Sequence, residues 1–277
     1  MMRQTMTPTR PPLFIVGAPS SGTTLLRNIL WSHPWYYSTH ETNFYAADYR
    51  TADWYRWVET RMLGDLETSN VRWRLADCLE YTMAFIRDLS ERHPLRRDFV
   101  SAFFEAIRKY GSGETWVEKT PRHLGHLDRI RADFPEALVL YIHRDPRDTT
   151  LSIASRDWFT GTYRDACGIW RQQMEAFRPH RHLIDYRISY EDLCTRPAST
   201  VRALFDYLGA PYDHEDETFH EILSGPEYAR CPVYTSLHPI SADSIGRHRR
   251  ELSPEDEETF LQICGGYVEL STGNGAG

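Results

Sequence analysis

Residues 17–24, GAPSSGTT, combine two glycines with four hydroxyl side chains between a short apolar run and a helical pattern. Gly17 and Gly22 let the backbone turn tightly, and such a turn directs successive N–H groups toward one point. The start of the following helix adds partial positive charge. The hydroxyl groups belong to Ser20, Ser21, Thr23 and Thr24. The segment predicts a phosphate site, with an ordinary tight strand-to-helix turn as the alternative.

The type of phosphate ligand is restricted by Thr23. Nucleotide hydrolases with the pattern G-x-x-x-x-G-K-[ST] use the lysine to reach the β- and γ-phosphates. Thr23 occupies that lysine position here. The loop therefore disfavours an ATP or GTP hydrolase, and a small-molecule kinase remains only as an alternative.

Arg144 and Ser152 form a second candidate anion site within YIHRDPRDTTLSIASR, residues 141–156. Arginine can bind a phosphate with two parallel hydrogen bonds, and a serine hydroxyl can complete the contact. The alternative is that Arg144 pairs with Asp145 or Asp148 at the start of a helix. Two anion sites together predict a ligand that carries two separate anionic groups.

Two further residues have side chains suited to moving a proton and to stabilising a leaving group. Glu41, in STHETNFY (38–45), is a candidate general base, and His40 is its rival because its ordinary pKa suits that task. Lys119 lies in WVEKTPRH (116–123), and only two of the 32 basic residues are lysines. A compact cationic charge is therefore expected at Lys119. The alternatives are a surface position for Glu41 and a surface pair between Lys119 and Glu118.

The composition of the chain limits the partners and the cellular location that are expected. The net charge of −7 argues against a broad nucleic-acid surface, and no apolar run is long enough to span a membrane. The N-terminus lacks the apolar core of a secretory signal. Five scattered cysteines without a C-x-x-C pair predict reduced thiols, a cytoplasmic location and no zinc site.

Strands that alternate with helices must position these residues. Short apolar runs predict strands at 13–16, 35–38, 115–119, 137–143 and 186–190, and amphipathic runs predict helices between them. This alternation predicts an α/β fold with a central, mostly parallel sheet covered on both faces. The candidate residues follow strand ends, where such folds bind ligands.

A single domain over 1–277 is expected. We divide it into a loose lead-in at 1–11, a helical insertion at 44–110 and a frayed tail at 271–277. The histidines His123 and His126 are assigned to the packing of a helix face.

These motifs resemble the sulfotransferases that use 3′-phosphoadenosine 5′-phosphosulfate (PAPS). Their 5′-phosphosulfate loop has the pattern P-[RK]-S-G-T-[TS]. Four consecutive positions and the proline match it, namely Pro19, Ser21, Gly22, Thr23 and Thr24. Ser20 departs from the pattern, because the family carries a basic residue there, close to the transferring sulfonate.

The resemblance implies roles for the remaining candidates. Arg144 and Ser152 match the 3′-phosphate signature, and Tyr190, in the segment 188–213, lies near the nucleotide in relatives. SIGRHRREL (244–252) is similar to the late loop that closes over the nucleotide, with Arg247 as its ligand and Arg249 or Arg250 as alternatives. Glu41 matches the catalytic base of the tyrosylprotein and heparan branches. Lys119 matches a lysine that contacts the bridging oxygen or the sulfonate.

The resemblance also implies the reaction. A P-loop-like three-layer sandwich would bind PAPS and transfer its sulfonate to a hydroxyl or amine, leaving PAP, without a metal. The acceptor would be a small molecule, a glycan or a peptide, and neither a nucleic acid nor a membrane is expected as a partner. Helices of 44–110 and the region 157–175 would line the acceptor pocket, with core packing as the alternative for their aromatic residues. A catalytically silent nucleotide-binding homologue is a further alternative, because Ser20 departs from the family. Oligomeric state stays unspecified.

Overall fold

A computed structural model describes residues 10–38, 41–48, 50–57, 83–111, 114–211 and 240–272. The described strands form one five-stranded sheet in the order β2-β3-β1-β4-β5, and every neighbouring pair is parallel. The strands are β1 Leu13–Val16, β2 Tyr36–Ser38, β3 Thr115–Lys119, β4 Leu138–His143 and β5 Tyr186–Ser189. The predicted α/β fold with a mostly parallel sheet is confirmed.

The sheet separates two hydrophobic layers because successive strand residues point to opposite faces. In β1, Phe14 and Val16 contribute to one layer, and Leu13 and Ile15 to the other. All four residues are buried, as expected for a central strand covered on both sides.

Helices cover both faces of this sheet and complete three layers. The helices are α1 Thr23–Ser32, α2 Ala52–Trp57, α3 Met83–Arg92, α4 Arg96–Gly111, α5 Leu127–Asp133, α6 Pro146–Ala154, α7 Tyr163–Phe177, α8 Tyr190–Thr195, α9 Pro197–Leu208, α10 His248–Glu251, α11 Pro254–Cys264 and α12 Val268–Thr272. Short 3-10 helices lie at Pro121–Gly125, Arg178–Leu183 and Gly265–Tyr267. Within the described ranges, no helix has both the length and the apolar character needed to cross a membrane.

The strand order places the candidate residues at one edge of the sheet. From β1 the chain runs to β2 on one side, whereas from β4 it runs to β5 on the other. Loops that leave neighbouring strands in opposite directions open a crevice at the carboxyl ends of these strands. The loop after β1 and the residues after β4 both border this crevice.

Several residues of the predicted boundary segments are packed. Arg10 lies over the ring of Trp35, at 3.3 Å from its centroid, and pairs with Glu114. At the other end of the chain, Ser271 is buried and its carbonyl accepts a hydrogen bond from Tyr141. The last residues of the predicted lead-in and the first residues of the predicted tail are therefore part of the folded structure. The remaining residues of both segments, 1–9 and 273–277, lie outside the described residues.

The aromatic residues expected to line an acceptor pocket divide into two groups. Trp54 and Trp170 are buried in the core, where the alternative of plain packing applies. Trp158 is 55% exposed and lies edge-on to Phe159 shortly after α6. Trp73 lies outside the described residues. An acceptor surface formed by Trp158 and Phe159 stays a prediction.

Candidate active site

The loop between β1 and α1 has the conformation that a phosphate cradle requires. Gly22 has a φ of 102° and directly precedes α1, and Ser20 also has a positive φ of 65°. A Cβ atom on Gly22 would lie 2.5 Å from the ring of Tyr190. Ser21 is buried, and its hydroxyl donates to the Ile142 carbonyl at the end of β4. Glycine is thus needed at position 22 for both its φ and its close approach to Tyr190.

The first turn of α1 leaves its N–H groups available to an anion. The helix has no side-chain cap, and no acidic residue occupies its first turn. Unpaired N–H groups at the start of a helix, with the helix dipole, favour a bound phosphate.

Arg144 lies beside this loop and has no carboxylate partner in the described part of the chain. Its guanidinium donates to the Ser20 carbonyl at 3.3 Å and to the Ser244 carbonyl at 2.5 Å, and it lies over the ring of Tyr190. Its Nε atom is buried without a hydrogen-bond partner among these residues. Arg144 thus keeps one unused N–H donor, and no carboxylate of the described residues would compete with an added anion for it.

The alternative partners proposed for Arg144 are engaged elsewhere. Asp145 caps α6 and pairs with Arg147. Asp148 is buried and accepts hydrogen bonds from the backbone N–H groups of Gly246 and His248, and from the His248 ring. The alternative of an Arg144–Asp145 or Arg144–Asp148 pair is therefore wrong. Asp148 instead attaches the late loop to α6.

Arg156 is a site residue that the sequence analysis missed. Its Nε donates to the Ser20 hydroxyl at 3.2 Å. Burial, together with the neighbouring positive charges of Arg144 and Arg247, lowers the pKa of Arg156. Arg144 and Arg156 thus both contact Ser20 of the first loop. Arg156 lies two residues beyond the end of α6, so no helical spacing in the sequence points to this contact.

The late loop brings Ser244 and Arg247 to the same crevice. The Ser244 hydroxyl bonds to the Tyr190 hydroxyl at 2.6 Å. Arg247 is partly buried and pairs with Glu251 through two hydrogen bonds, whereas Arg249 and Arg250 are exposed. Arg247 is thus the least exposed of the three candidates, and its role as a ligand stays a prediction.

Glu41 and Lys119 meet at the other end of the first loop. Lys119 Nζ lies 2.5 Å from Glu41 Oε1 and donates to the Thr24 hydroxyl at 3.3 Å. Lys119 is 3% exposed and Glu41 is 41% exposed. The alternative of a surface pair between Lys119 and Glu118 is wrong, because Glu118 is buried and bonds to His123. His40, the rival base, lies outside the described residues.

The environment of Lys119 changes its proton affinity. Burial lowers the pKa of Lys119, Glu41 opposes this change, and the positive charge of Arg27 adds to it. The net result is a lysine with a pKa below its ordinary value of 10.5. Such a lysine loses its charge earlier than a solvated lysine as the pH rises.

We expect nuclear magnetic resonance of isotopically labelled lysine side chains to show Lys119 titrating below pH 10.5. Because the unfolded chain then binds more protons than the folded one between the two pKa values, the free energy of unfolding should rise with pH across that window. The chain has only one other lysine, Lys109, and Lys119→Arg assigns the signals. Titration of both lysines at or above pH 10.5 would contradict this expectation.

Comparison with known proteins gives this arrangement its context. The model of the "Sulfotransferase family" matches residues 11–214, most of the chain. This chain belongs to the sulfotransferase family. The predicted resemblance is confirmed, and the expectation of an enzyme of this class agrees with it.

Similar sequences include "Protein-tyrosine sulfotransferase A" of Caenorhabditis elegans, 24% identical over 86% of this chain and 60% of that protein. "Protein-tyrosine sulfotransferase 1" of Danio rerio is 25% identical over 78% of this chain and 57% of that protein. An uncharacterized Aquifex aeolicus protein is 24% identical over 89% of this chain and 32% of that protein. The chain thus spans between a third and three fifths of the length of these relatives.

Solved structures share the fold. The sulfotransferase domain of the Synechococcus PCC 7002 olefin synthase has a TM-score of 0.60 at 20% identity, covering 96% of this chain and 98% of that one. Mouse sulfotransferase SULT7A1, solved in complex with PAP, has a TM-score of 0.52 at 13% identity, covering 94% of this chain and 85% of that one. This sulfotransferase therefore has the three-layer α/β fold of these neighbours.

Proposed function

We propose that this sulfotransferase moves the sulfonate group of PAPS to a hydroxyl or amine of an acceptor and releases PAP. One observation carries the proposal: the first loop contacts both halves of the site. At Ser20 it meets Arg144 and Arg156, and at Thr24 it meets Lys119. A ligand that lies along this loop would place one anionic group beside Arg144 and another beside Lys119, and Arg156 would face the loop at Ser20.

The residues present fit the two ends of PAPS. The uncapped start of α1 and the hydroxyls of the first loop suit the 5′-phosphosulfate. Arg144, with its unpartnered Nε, and the buried Ser152 on α6 suit the 3′-phosphate. Tyr190 lies between the first loop, Arg144 and Ser244, where an adenosine moiety would join the two anionic ends.

Arg156 is suited to replace the basic side chain that the family carries at position 20. Its guanidinium reaches the Ser20 hydroxyl from the end of α6, so a cation stands beside the loop although the loop itself has none. Together with Lys119, it would stabilise the negative charge on the phosphosulfate during transfer.

Glu41 and Lys119 provide the groups that the transfer step needs. The acceptor oxygen or nitrogen forms a bond to sulfur, and its proton passes to the Glu41 carboxylate. The bond from sulfur to the bridging oxygen breaks, and its electron pair remains on the 5′-phosphate of PAP. Lys119 would neutralise that charge. In the free protein its pair with Glu41 keeps both groups close to the first loop.

The nucleotide specificity tests the proposal directly. Calorimetry without magnesium should show 3′,5′-ADP binding at least about tenfold more tightly than 5′-AMP, because a charge-assisted hydrogen bond contributes about 1.5–3 kcal/mol. ATP should bind less tightly than 3′,5′-ADP, since no lysine follows Gly22 to reach a γ-phosphate.

Two results would contradict the proposed function and support a different one. Equal or tighter binding of ATP, especially when magnesium is added, would overturn the sulfotransferase proposal and support a kinase. Binding of 3′,5′-ADP without transfer from PAPS to any member of a panel of phenols, sugars and tyrosine peptides would support a silent nucleotide-binding protein.

A further inference from the structure

A buried carboxylate, Glu118, lies directly before Lys119 on β3 and takes no part in the proposed reaction. Its side chain is 0% exposed. One oxygen accepts hydrogen bonds from the Thr42 hydroxyl at 2.7 Å and from the Thr120 hydroxyl at 2.6 Å. The other oxygen accepts from His123 Nδ1 at 2.9 Å. Burying a carboxylate is costly unless it is fully hydrogen-bonded, so this set of contacts is well matched to its charge.

The donors to Glu118 come from the two segments that carry the proposed catalytic residues. Thr42 directly follows Glu41, and Thr120 directly follows Lys119. The Thr120 hydroxyl also accepts from the backbone N–H groups of Thr42 and Asn43, at 3.1 and 3.2 Å. The segments after β2 and β3 are therefore joined through one carboxylate and one hydroxyl.

His123 also connects Glu118 to the backbone of Tyr45. The backbone N–H of Tyr45 donates to His123 Nε2 at 3.1 Å, so this nitrogen is the acceptor and Nδ1 carries the proton given to Glu118. The Trp54 ring N–H holds the Thr42 carbonyl at 3.0 Å. Asn43 has a φ of 53°, which a non-glycine residue adopts at some cost and which these bonds hold in place.

We propose that Glu118 is a positioning residue whose buried carboxylate, bridging Thr42 and Thr120, holds Glu41 within reach of Lys119. The inference rests on the proposed function for the roles of Glu41 and Lys119. Burial alone would raise the pKa of Glu118, but His123 and the hydroxyls of Thr120 and Thr42 outweigh it and lower that pKa. The carboxylate thus stays ionised and accepts all of these bonds at once.

Glutamine cannot replace Glu118 in this network. Its amide oxygen can accept from the hydroxyls, but its NH₂ group would face the Nδ1 proton of His123. Moving that proton to Nε2 would set it against the Tyr45 N–H. With either His123 tautomer, Glu118→Gln therefore leaves one pair of donors facing each other. Rotating the amide avoids this clash but takes the acceptor away from the Thr42 and Thr120 hydroxyls.

Thr42→Val provides a milder change, because valine has nearly the same shape and removes only the hydroxyl donor to Glu118. If the network positions Glu41, the pKa of Lys119 should fall below its wild-type value in Thr42→Val, since a nearby carboxylate raises it. Glu118→Gln should lower this pKa as well, in part because the charge of Glu118 itself raises it, so Thr42→Val is the variant that isolates the position of Glu41. Labelled-lysine resonance measures this directly. In a Glu41→Gln background, adding Thr42→Val should cause no further change. Thr42→Ser should restore the wild-type titration.

Thr115→Val is the matched control. Thr115 is a buried threonine at the opposite end of β3, and its hydroxyl bonds to the carbonyls of Arg10 and Pro11. Thr115→Val should leave the pKa of Lys119 unchanged. In PAPS turnover, Thr42→Val and Glu118→Gln should lower kcat about tenfold or more with an unchanged Kd for 3′,5′-ADP, a part of the 10²–10⁴-fold effect of a positioned base.

The proposal would be overturned if Thr42→Val and Glu118→Gln both kept the wild-type pKa of Lys119 and the wild-type kcat, as Thr115→Val is expected to do. If Glu118→Gln fails to fold, as judged by its thermal unfolding, Thr42→Val decides alone. If the wild-type protein fails to bind 3′,5′-ADP, the proposed function fails, while the resonance measurement still judges the positioning role.

Discussion

Glu41→Gln is expected to lower sulfonate transfer by about 10²–10⁴-fold, because a positioned general base contributes that much to such a step. Glutamine keeps the size of the side chain and can still accept a hydrogen bond from Lys119, but it cannot take the proton of the acceptor. The affinity for 3′,5′-ADP should change little, since Glu41 lies at the Lys119 end of the loop, whereas Ser20 meets Arg144 and Arg156. Single-turnover transfer of radiolabelled sulfonate and calorimetry measure the two quantities separately.

Glu114→Gln is a suitable control for this change. Glu114 also pairs with a cation, Arg10 at 2.9 Å, but it lies at the amino end of β3, away from the crevice. Glu114→Gln should retain full sulfonate transfer. Full transfer by Glu41→Gln would remove the base role from Glu41 and make His40 the next residue to test.

The fold was predictable because its central elements are strongly apolar and regularly spaced. The predicted strands at 13–16, 115–119 and 137–143 all appear, within one residue of their predicted ends. The strand order was not predictable in this way, because hydrophobic patterns report which residues are buried but not which strands are neighbours. The exact end of α7 was not predictable either: it ends at Phe177, and a 3-10 helix that contains Pro179 follows.

Much of the candidate site was also accessible from the sequence. Parallel strands end at one edge of the sheet, so residues that follow β1, β3 and β4 had to lie near one another. The contact of Lys119 with Glu41 and Thr24 agrees with that expectation. Their catalytic roles stay a prediction.

The residues that sequence reasoning missed depend on contacts between distant segments. His123 was assigned to helix packing, but its ring joins Glu118 to the backbone of Tyr45. Arg156 lies just beyond α6, and only the folded loop shows that it reaches Ser20. Polar networks of this kind have no periodic pattern along the chain, since each member is selected by its spatial neighbours.

Arg144→Ala should weaken the binding of 3′,5′-ADP by about 30-fold or more, because truncating one member of a buried, hydrogen-bonded charge pair costs about 2–5 kcal/mol. The substitution also removes the contacts to the Ser20 and Ser244 carbonyls. Arg144→Lys therefore accompanies it, because lysine keeps the charge but loses the two-pronged geometry of the guanidinium. Arg147→Ala, which removes an equal charge from the first turn of α6 but only breaks a pair with Asp145, should leave affinity unchanged.

The same contact can be tested by removing the 3′-phosphate from the ligand. If Arg144 binds the 3′-phosphate, then 5′-AMP, which lacks that group, should bind Arg144→Lys and the wild-type protein almost equally. The binding free energy lost by removing the guanidinium and that lost by removing the 3′-phosphate would then be strongly non-additive, as expected for two groups in direct contact. Additive losses, measured by calorimetry on all four combinations, would show that Arg144 supports the first loop and the late loop without touching the 3′-phosphate. Arg156 and Arg247 would then be the remaining candidates for that contact.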